Sequence, residues 1–164
     1  MEHSQPDFLI RISRNTSLFN IHLGTVPQWC WQFNSVFDIY RGGHSLTLEN
    51  CVVKYNAAIA AGYGDFISYS EFLKSALILK TKFYGYDSYG FHTGHLGNKR
   101  KDLKRRISID SDASIKFEQC YFNKQTIDIE FPVVSVVRSV FIDSTLLSSN
   151  FRDLQINQSQ FFRS

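Results

Sequence analysis

Residues 131–161 read FPVVSVVRSVFIDSTLLSSNFRDLQINQSQF, and within them Phe131, Val136, Phe141, Leu146, Phe151, Ile156 and Phe161 recur at every fifth position. A helix repeats its buried face every 3.6 residues and a strand every 2, so neither sustains a spacing of five. A chain that turns a corner after each short extended piece does. Two residues ahead of these positions stand Ile129, Val134, Ser139, Ser144, Ser149, Leu154 and Ser159, small in four cases and apolar in the others. A large and a small inward-facing column together predict a solenoid with short strands as its sides.

The triplets Ser139-Val140-Phe141, Ser144-Thr145-Leu146, Ser149-Asn150-Phe151 and Ser159-Gln160-Phe161 resemble the unit of pentapeptide-repeat proteins: a small residue, a polar one, then Leu or Phe, then two variable positions. The resemblance implies a right-handed quadrilateral β-helix with four pentapeptides per coil and the small and large residues inside. It is strongest over residues 115–164 and continues less regularly upstream. Ile115-Lys116-Phe117 precedes Cys120-Tyr121-Phe122, Ser70-Glu71-Phe72 precedes Ser75-Ala76-Leu77, and Leu46-Thr47-Leu48 precedes Cys51-Val52-Val53. The step from Ile127 to Phe131 is four residues and that from Leu77 to Phe83 is six, slips that corners or bulges are expected to absorb.

The expected fold class is therefore all-β, a right-handed parallel β-helix forming a single domain over residues 1–164. Its expected parts are an N-terminal cap or hairpin over 1–43, first coils over 44–83, a basic loop insertion over 84–113 and C-terminal coils over 114–164. With 164 residues, 43% of them hydrophobic, the chain has enough apolar material for one core. Fifteen Phe against one Met and three Pro fit a narrow interior in which flat rings stack from turn to turn.

In the N-terminal part, Phe8, Ile10 and Ile12 alternate with Leu9 and Arg11, Arg14-Asn15-Thr16 offers a turn, and residues 18–23 read as a returning strand. A hairpin over the open end of the coil is the expectation, with Trp29, Trp31, Phe33 and Phe37 as its packing. Residues 56–62 allow one helical turn before Gly62 and Gly64. From Tyr84 to Asp112 the repeat gives way to Gly, Tyr, Ser, His, Lys and Arg, which reads as a loop leaving one corner. The repeat then runs to Phe161-Phe162-Arg163-Ser164 without a capping sequence, so Phe161 and Phe162 are the expected interface of a homodimer, as the resemblance also implies.

Net charge is +3, but residues 99–106 read KRKDLKRR, with six bases and one acid, while the rest holds 12 bases and 14 acids. Lys99, Arg100, Lys101, Lys104, Arg105 and Arg106 are the expected partner-binding residues, near Tyr84, Tyr86, Tyr89 and Phe91. Such a run grips phosphates of nucleic acid or an anionic lipid surface, or stays a solvated loop. Arg105-Arg106-Ile107-Ser108 also resembles a basophilic kinase site.

Catalytic signals are weak. The carboxylates form no acid/base motif, and His92 and His95 have no third ligand near in sequence, so no metal or cofactor is expected. Nucleophile-elbow, phosphate-loop and dinucleotide signatures are missing from the sequence. Cys30, Cys51 and Cys120 are odd in number and read as buried thiols of a reducing compartment. No apolar run reaches transmembrane length and no basic-then-apolar leader opens the chain, so the expected location is cytoplasmic, with delivery as a secreted effector the other option.

The expected function is non-catalytic protein binding. The resemblance implies, more narrowly, a topoisomerase (DNA gyrase)-binding or protective factor acting through its projecting loop. Residues 107–164 hold seven acids and five bases, fewer acids than a mimic of duplex DNA would carry. A bacterial effector binding a host protein or an anionic membrane is one alternative. A β-helix enzyme acting on a polysaccharide is another, and it needs paired carboxylates on one outer face.

Overall fold

The structure, a computed structural model, describes residues 8–23, 35–39, 43–54, 65–68, 73–84, 93–94, 112–124, 126–129, 131–148 and 151–163. Their regular elements are all β-strands, in sets of three. The first turns contain β1 (Phe8–Ile12), β2 (Thr16–Phe19) and β3 (His22–Leu23), then β4 (Ser35–Ile39), β5 (His44–Glu49) and β6 (Val52–Lys54), then β7 (Asp65–Ser68), β8 (Leu73–Leu79) and β9 (Lys82–Tyr84). The later turns contain β10 (Thr93–Gly94), β11 (Ser114–Glu118) and β12 (Tyr121–Asn123), then β13 (Thr126–Ile129), β14 (Val133–Val137) and β15 (Val140–Ile142), then β16 (Thr145–Ser148), β17 (Asp153–Asn157) and β18 (Gln160–Phe162).

Each sheet takes every third strand: β1-β4-β7-β10, β2-β5-β8-β11-β14-β17, β3-β6-β9-β12-β15-β18 and the pair β13-β16. All pairings are parallel. A parallel neighbour cannot be reached through a tight turn, so the chain visits the other sides before returning beside itself. The result is a β-helix-like stack of parallel strands.

Register fixes the length of each turn. Along the second sheet Leu18 pairs with Leu48, Leu48 with Ile78, Ile78 with Phe117, Phe117 with Val136 and Val136 with Ile156. Hydrogen bonds between successive turns accordingly join partners 30 positions apart early in the chain and 19 or 20 apart late in it. The connections 24–34, 55–64 and 85–92 lead from β3, β6 and β9 of the third sheet to the first sheet, whereas only 124–125 and 143–144 lead from β12 and β15 to the pair β13-β16. The longest step, from Ile78 to Phe117, holds a second connection, 95–113, between β10 and β11.

Columns of side chains fill the inside. On the third sheet Leu23, Val53, Phe83, Phe122, Phe141 and Phe161 are register partners in succession. The Phe rings stack at centroid separations of 4.9, 4.7 and 4.4 Å, with planes within 11° of parallel. That spacing is the distance between neighbouring strands, so the ladder itself imposes the stacking. Phe117, from the second sheet, meets Phe122 edge-on at 5.5 Å. Burying each ring contributes about 1.5–3 kcal/mol.

The small column caps the corner between the second and third sheets. Ser139 accepts the Cys120 N–H at 3.1 Å and donates to Val137 O at 3.0 Å. Ser159 repeats this with Ser139 N and Asn157 O, and Thr81 with Cys51 N and Leu79 O. Just before the small residue, Asn20, Asn50, Lys80, Gln119, Arg138 and Gln158 all have φ between 47° and 56°, the left-handed bend that turns the chain from one sheet to the next.

Several expectations need correction. No hairpin forms over residues 8–23: β1 pairs with β4 and β2 with β5, each in parallel. The turn at Asn15 leads from one sheet to another, and Asn15 Oδ1 accepts the Ser45 N–H of the next turn at 2.9 Å. Residues 84–113 are not one excursion either. Tyr84 ends β9, β10 pairs with β7, and Ala113 is buried.

The six-residue slip at Leu77 also disappears. Ala76 and Ile78 face the core while Leu77 is half-buried on the outer face, so Ile78 to Phe83 is an ordinary step of five. The step of four from Ile127 to Phe131 is real, with both residues buried. Trp29, Trp31, Phe33 and the turn expected at 56–62 lie outside the described residues.

Candidate interaction surfaces

Among the described residues the last turn lies at the edge of the sheets. Its strands β16, β17 and β18 each have a sheet neighbour on one side only. Phe151, Ile156, Phe161 and Phe162 are 45%, 43%, 40% and 49% exposed, whereas Phe131, Val136 and Phe141 one turn earlier are at most 1% exposed. One face of the Phe161 ring lies on Phe141. The inward columns continue to the last turn, and no strand lies beyond it among the described residues. At the first turn the matching positions are Leu23, which is buried, and Leu18, which is half-buried. Phe162 belongs to the outer face, in register with Ile142.

The six expected partner-binding bases, Lys99, Arg100, Lys101, Lys104, Arg105 and Arg106, lie outside the described residues, as do His92 and His95. Thr93 and Gly94 between the histidines form β10. Among the described residues no group of three potential metal ligands occurs, and no helix is long and apolar enough to cross a membrane.

The outer side of the third sheet carries a different set. Lys54, Tyr84, Asn123, Ile142 and Phe162 form one outward column, and Val52, Lys82, Tyr121, Val140 and Gln160 the other. The half-buried rings of Tyr84 and Tyr121 lie 5.7 Å apart, tilted by 51°. Each has a lysine beside it on the preceding strand, Lys54 next to Tyr84 and Lys82 next to Tyr121. At the bordering corners stand Lys80, Arg138, Lys124 and Arg163, with Asp143 the only acid on this face and its corners among the described residues. Sequence reading missed this surface because the two tyrosines become neighbours only through the longest step of the chain.

The outer side of the second sheet is different again. Glu118 forms ion pairs with Lys116 at 2.7 Å and with Arg138 of the next turn. Hydrogen bonds from Lys116 and then Arg138 hold its carboxyl below the usual range. Glu49 stands in the same column with Leu79 between them, two strand spacings or about 10 Å away. A retaining or inverting glycosidase needs one carboxyl kept protonated, and a carboxylate clamped by two cations cannot serve as that acid.

Neither described thiol is placed to act as a nucleophile. Cys51 and Cys120 are free and buried in the small column. Burial pushes the Cys120 thiol up to about 12, so it stays protonated and donates to Ile78 O at 3.2 Å. Cys30 lies outside the described residues.

No family model matches this chain, and neither a curated protein nor a solved structure matches it.

Proposed function

We propose that this chain is a non-catalytic binding protein, built as a right-handed solenoid of square section, that self-associates through its last turn. The observation that carries this reading is the exposure of Phe151, Ile156, Phe161 and Phe162 beside three strand edges. A second copy on that end would pair the edges and bury the rings. The square section is supported by Ile127, Phe131, Val136 and Phe141, four buried large residues within one turn at steps of four and five. Phe131 lies between β13 and β14 and would mark the fourth side.

Partner binding is assigned to Lys99, Arg100, Lys101, Lys104, Arg105 and Arg106, the densest charge in the sequence. The narrower form, a cytoplasmic topoisomerase (DNA gyrase)-binding or protective factor, is supported by the pentapeptide-like triplets. Mimicry of duplex DNA by the rod is not favoured, because six bases and one acid line the third sheet's outer face and corners.

Sedimentation equilibrium of the whole chain tests the association. A dimer is expected, reduced to a monomer by Phe161→Ser with Phe162→Ser; a monomeric unmodified chain overturns it. Retention of purified DNA gyrase on the immobilised chain, lost when the six bases become Gln, supports the narrower form, and no retention overturns that form alone.

A further inference from the structure

We propose that the outer face of the third sheet, centred on Tyr84 and Tyr121, binds single-stranded nucleic acid. The inference is independent of the self-association and of the basic run at 99–106. Flat rings on an open face and unpaired cations on the flanking positions are the two requirements for holding a strand without reading its sequence: bases stack on the rings and phosphates meet the cations. Both are present here in register.

Lys54 adjoins Tyr84 and Lys82 adjoins Tyr121, so each ring has a lysine one strand spacing, about 4.8 Å, along the stack. The arrangement repeats from one turn to the next, which suits a polymer with a base and a phosphate in every unit. Among the described residues Lys54, Lys80, Lys82, Lys124 and Arg163 are exposed and none forms an ion pair with a carboxylate. Arg138 is partly committed to Glu118. From Lys54 to Arg163 the cations span four strand spacings, roughly 19 Å along the stack. Polar donors and acceptors lie between them, with Asn123 donating to the Tyr121 hydroxyl at 3.5 Å and Gln160 on the same side.

Single strands fit better than the other polyanions. A duplex keeps its bases stacked on one another and would leave the tyrosine faces unused. An anionic bilayer would engage the lysines without needing a ring pair at this spacing. An acidic peptide supplies charge but few rings.

Fluorescence anisotropy of a labelled 20-nucleotide oligothymidylate with the whole chain at about 50 mM salt tests the proposal. Binding is expected, weakened about tenfold or more by Tyr84→Ala with Tyr121→Ala and largely restored by Tyr84→Phe with Tyr121→Phe, which keep the ring faces. Lys54→Gln with Lys82→Gln, both at exposed positions, should reduce the magnitude of the log affinity against log salt slope by about 1.4. The variant with Lys99, Arg100, Lys101, Lys104, Arg105 and Arg106 changed to Gln should retain the tyrosine dependence.

Absence of binding overturns the proposal. So does binding abolished by the six-base variant but indifferent to the tyrosines, or equal affinity for a duplex of the same length. Binding only to vesicles containing anionic lipid overturns it in favour of a membrane surface. Melting temperatures of all variants are measured alongside; if the alanine pair unfolds, the lysine pair and the phenylalanine pair decide by the same criteria.

Discussion

On the second sheet the register partners Phe117, Val136 and Ile156 follow one another at 19 and 20 positions, whereas Leu18, Leu48 and Ile78 follow one another at 30. Yet the second and third sheets run through both regions without interruption. The difference teaches that this architecture repeats its strand register, not the amount of chain between strands. Extra chain follows the third sheet in the long turns, where the tight turns have only 124–125 and 143–144, and in the longest step it also separates β10 from β11. The phenylalanine stack, the hydroxyl bridges and the left-handed residues Asn20, Asn50, Lys80, Gln119, Arg138 and Gln158 lie on the opposite stretch, from the second sheet to the third. Long connections are tolerated because closing a longer loop adds little entropy, about 0.6 kcal/mol for each doubling.

The comparison breaks most directly at the ring stack. Phe122 sits between Phe83 of the last early turn and Phe141 of the tight turns, and touches Phe117 edge-on. Phe122→Ala is expected to cost about 3–5 kcal/mol, because a cavity opens where the two regions meet. Phe161→Ala removes a ring that is 40% exposed and stacked on one side, so about half that loss is expected. Urea unfolding of both variants checks this. Equal losses would mean that the last turn is as enclosed as the junction, and a single cooperative transition for both regions would show that the long connections do not divide the rod.

A smaller effect sharpens the comparison at the corner. Ser139 is fully buried and bridges Cys120 N and Val137 O. Ser139→Ala leaves both groups without that partner and should cost about 1–3 kcal/mol. Ser139→Cys should cost less, since Cys120 occupies the same column one turn earlier with its thiol within reach of both Ile78 O and Glu118 O. Thr81→Val should show the alanine-like loss in a long turn, because Thr81 makes the same pair of bonds with Cys51 N and Leu79 O. Thermal melting compares the three, and a neutral Thr81→Val would confine the hydroxyl bridge to the tight region.

Much of this was legible in the sequence, and the failures have identifiable causes. The five-residue columns at Phe117, Phe122, Phe131, Val136 and Phe141 were readable because the tight turns contain almost nothing else. In Ser75-Ala76-Leu77 the motif letters misled: β8 runs from Leu73 to Leu79 with apolar side chains on both faces, so letters alone did not reveal that Ile78 points inward. The parallel placement of β1 and β2 was invisible because Phe8 finds Ser35 and Thr16 finds Leu46 only after a whole turn, beyond any local pattern. The Tyr84–Tyr121 pair could not be anticipated for the same reason. The density of bases at 99–106 and the run of phenylalanines near Phe161 were readable without register, because charge and hydrophobicity are properties of composition.

The smallest expected effect bears on whether the two regions share one corner geometry. Lys80, in a long turn, and Lys124, beside the short connection to β13, have φ of 47° and 53°. A side chain in that region costs about 1–2 kcal/mol, whereas Gly enters it freely but gives up about 0.5–1 kcal/mol of unfolded-state entropy. Lys80→Gly and Lys124→Gly should therefore each stabilise the chain by about 0.5–1 kcal/mol. Both side chains are exposed, and their backbone N–H groups bond to Glu118 O and Ile142 O, bonds that glycine keeps. Chemical denaturation of the single and double variants reads the result. Additive gains mean that both corners bear the same local strain whatever length of chain follows. A gain at Lys124 with none at Lys80 would mean that the longer connection already relaxes its corner, and the likeness of the two regions would then stop at the sheets.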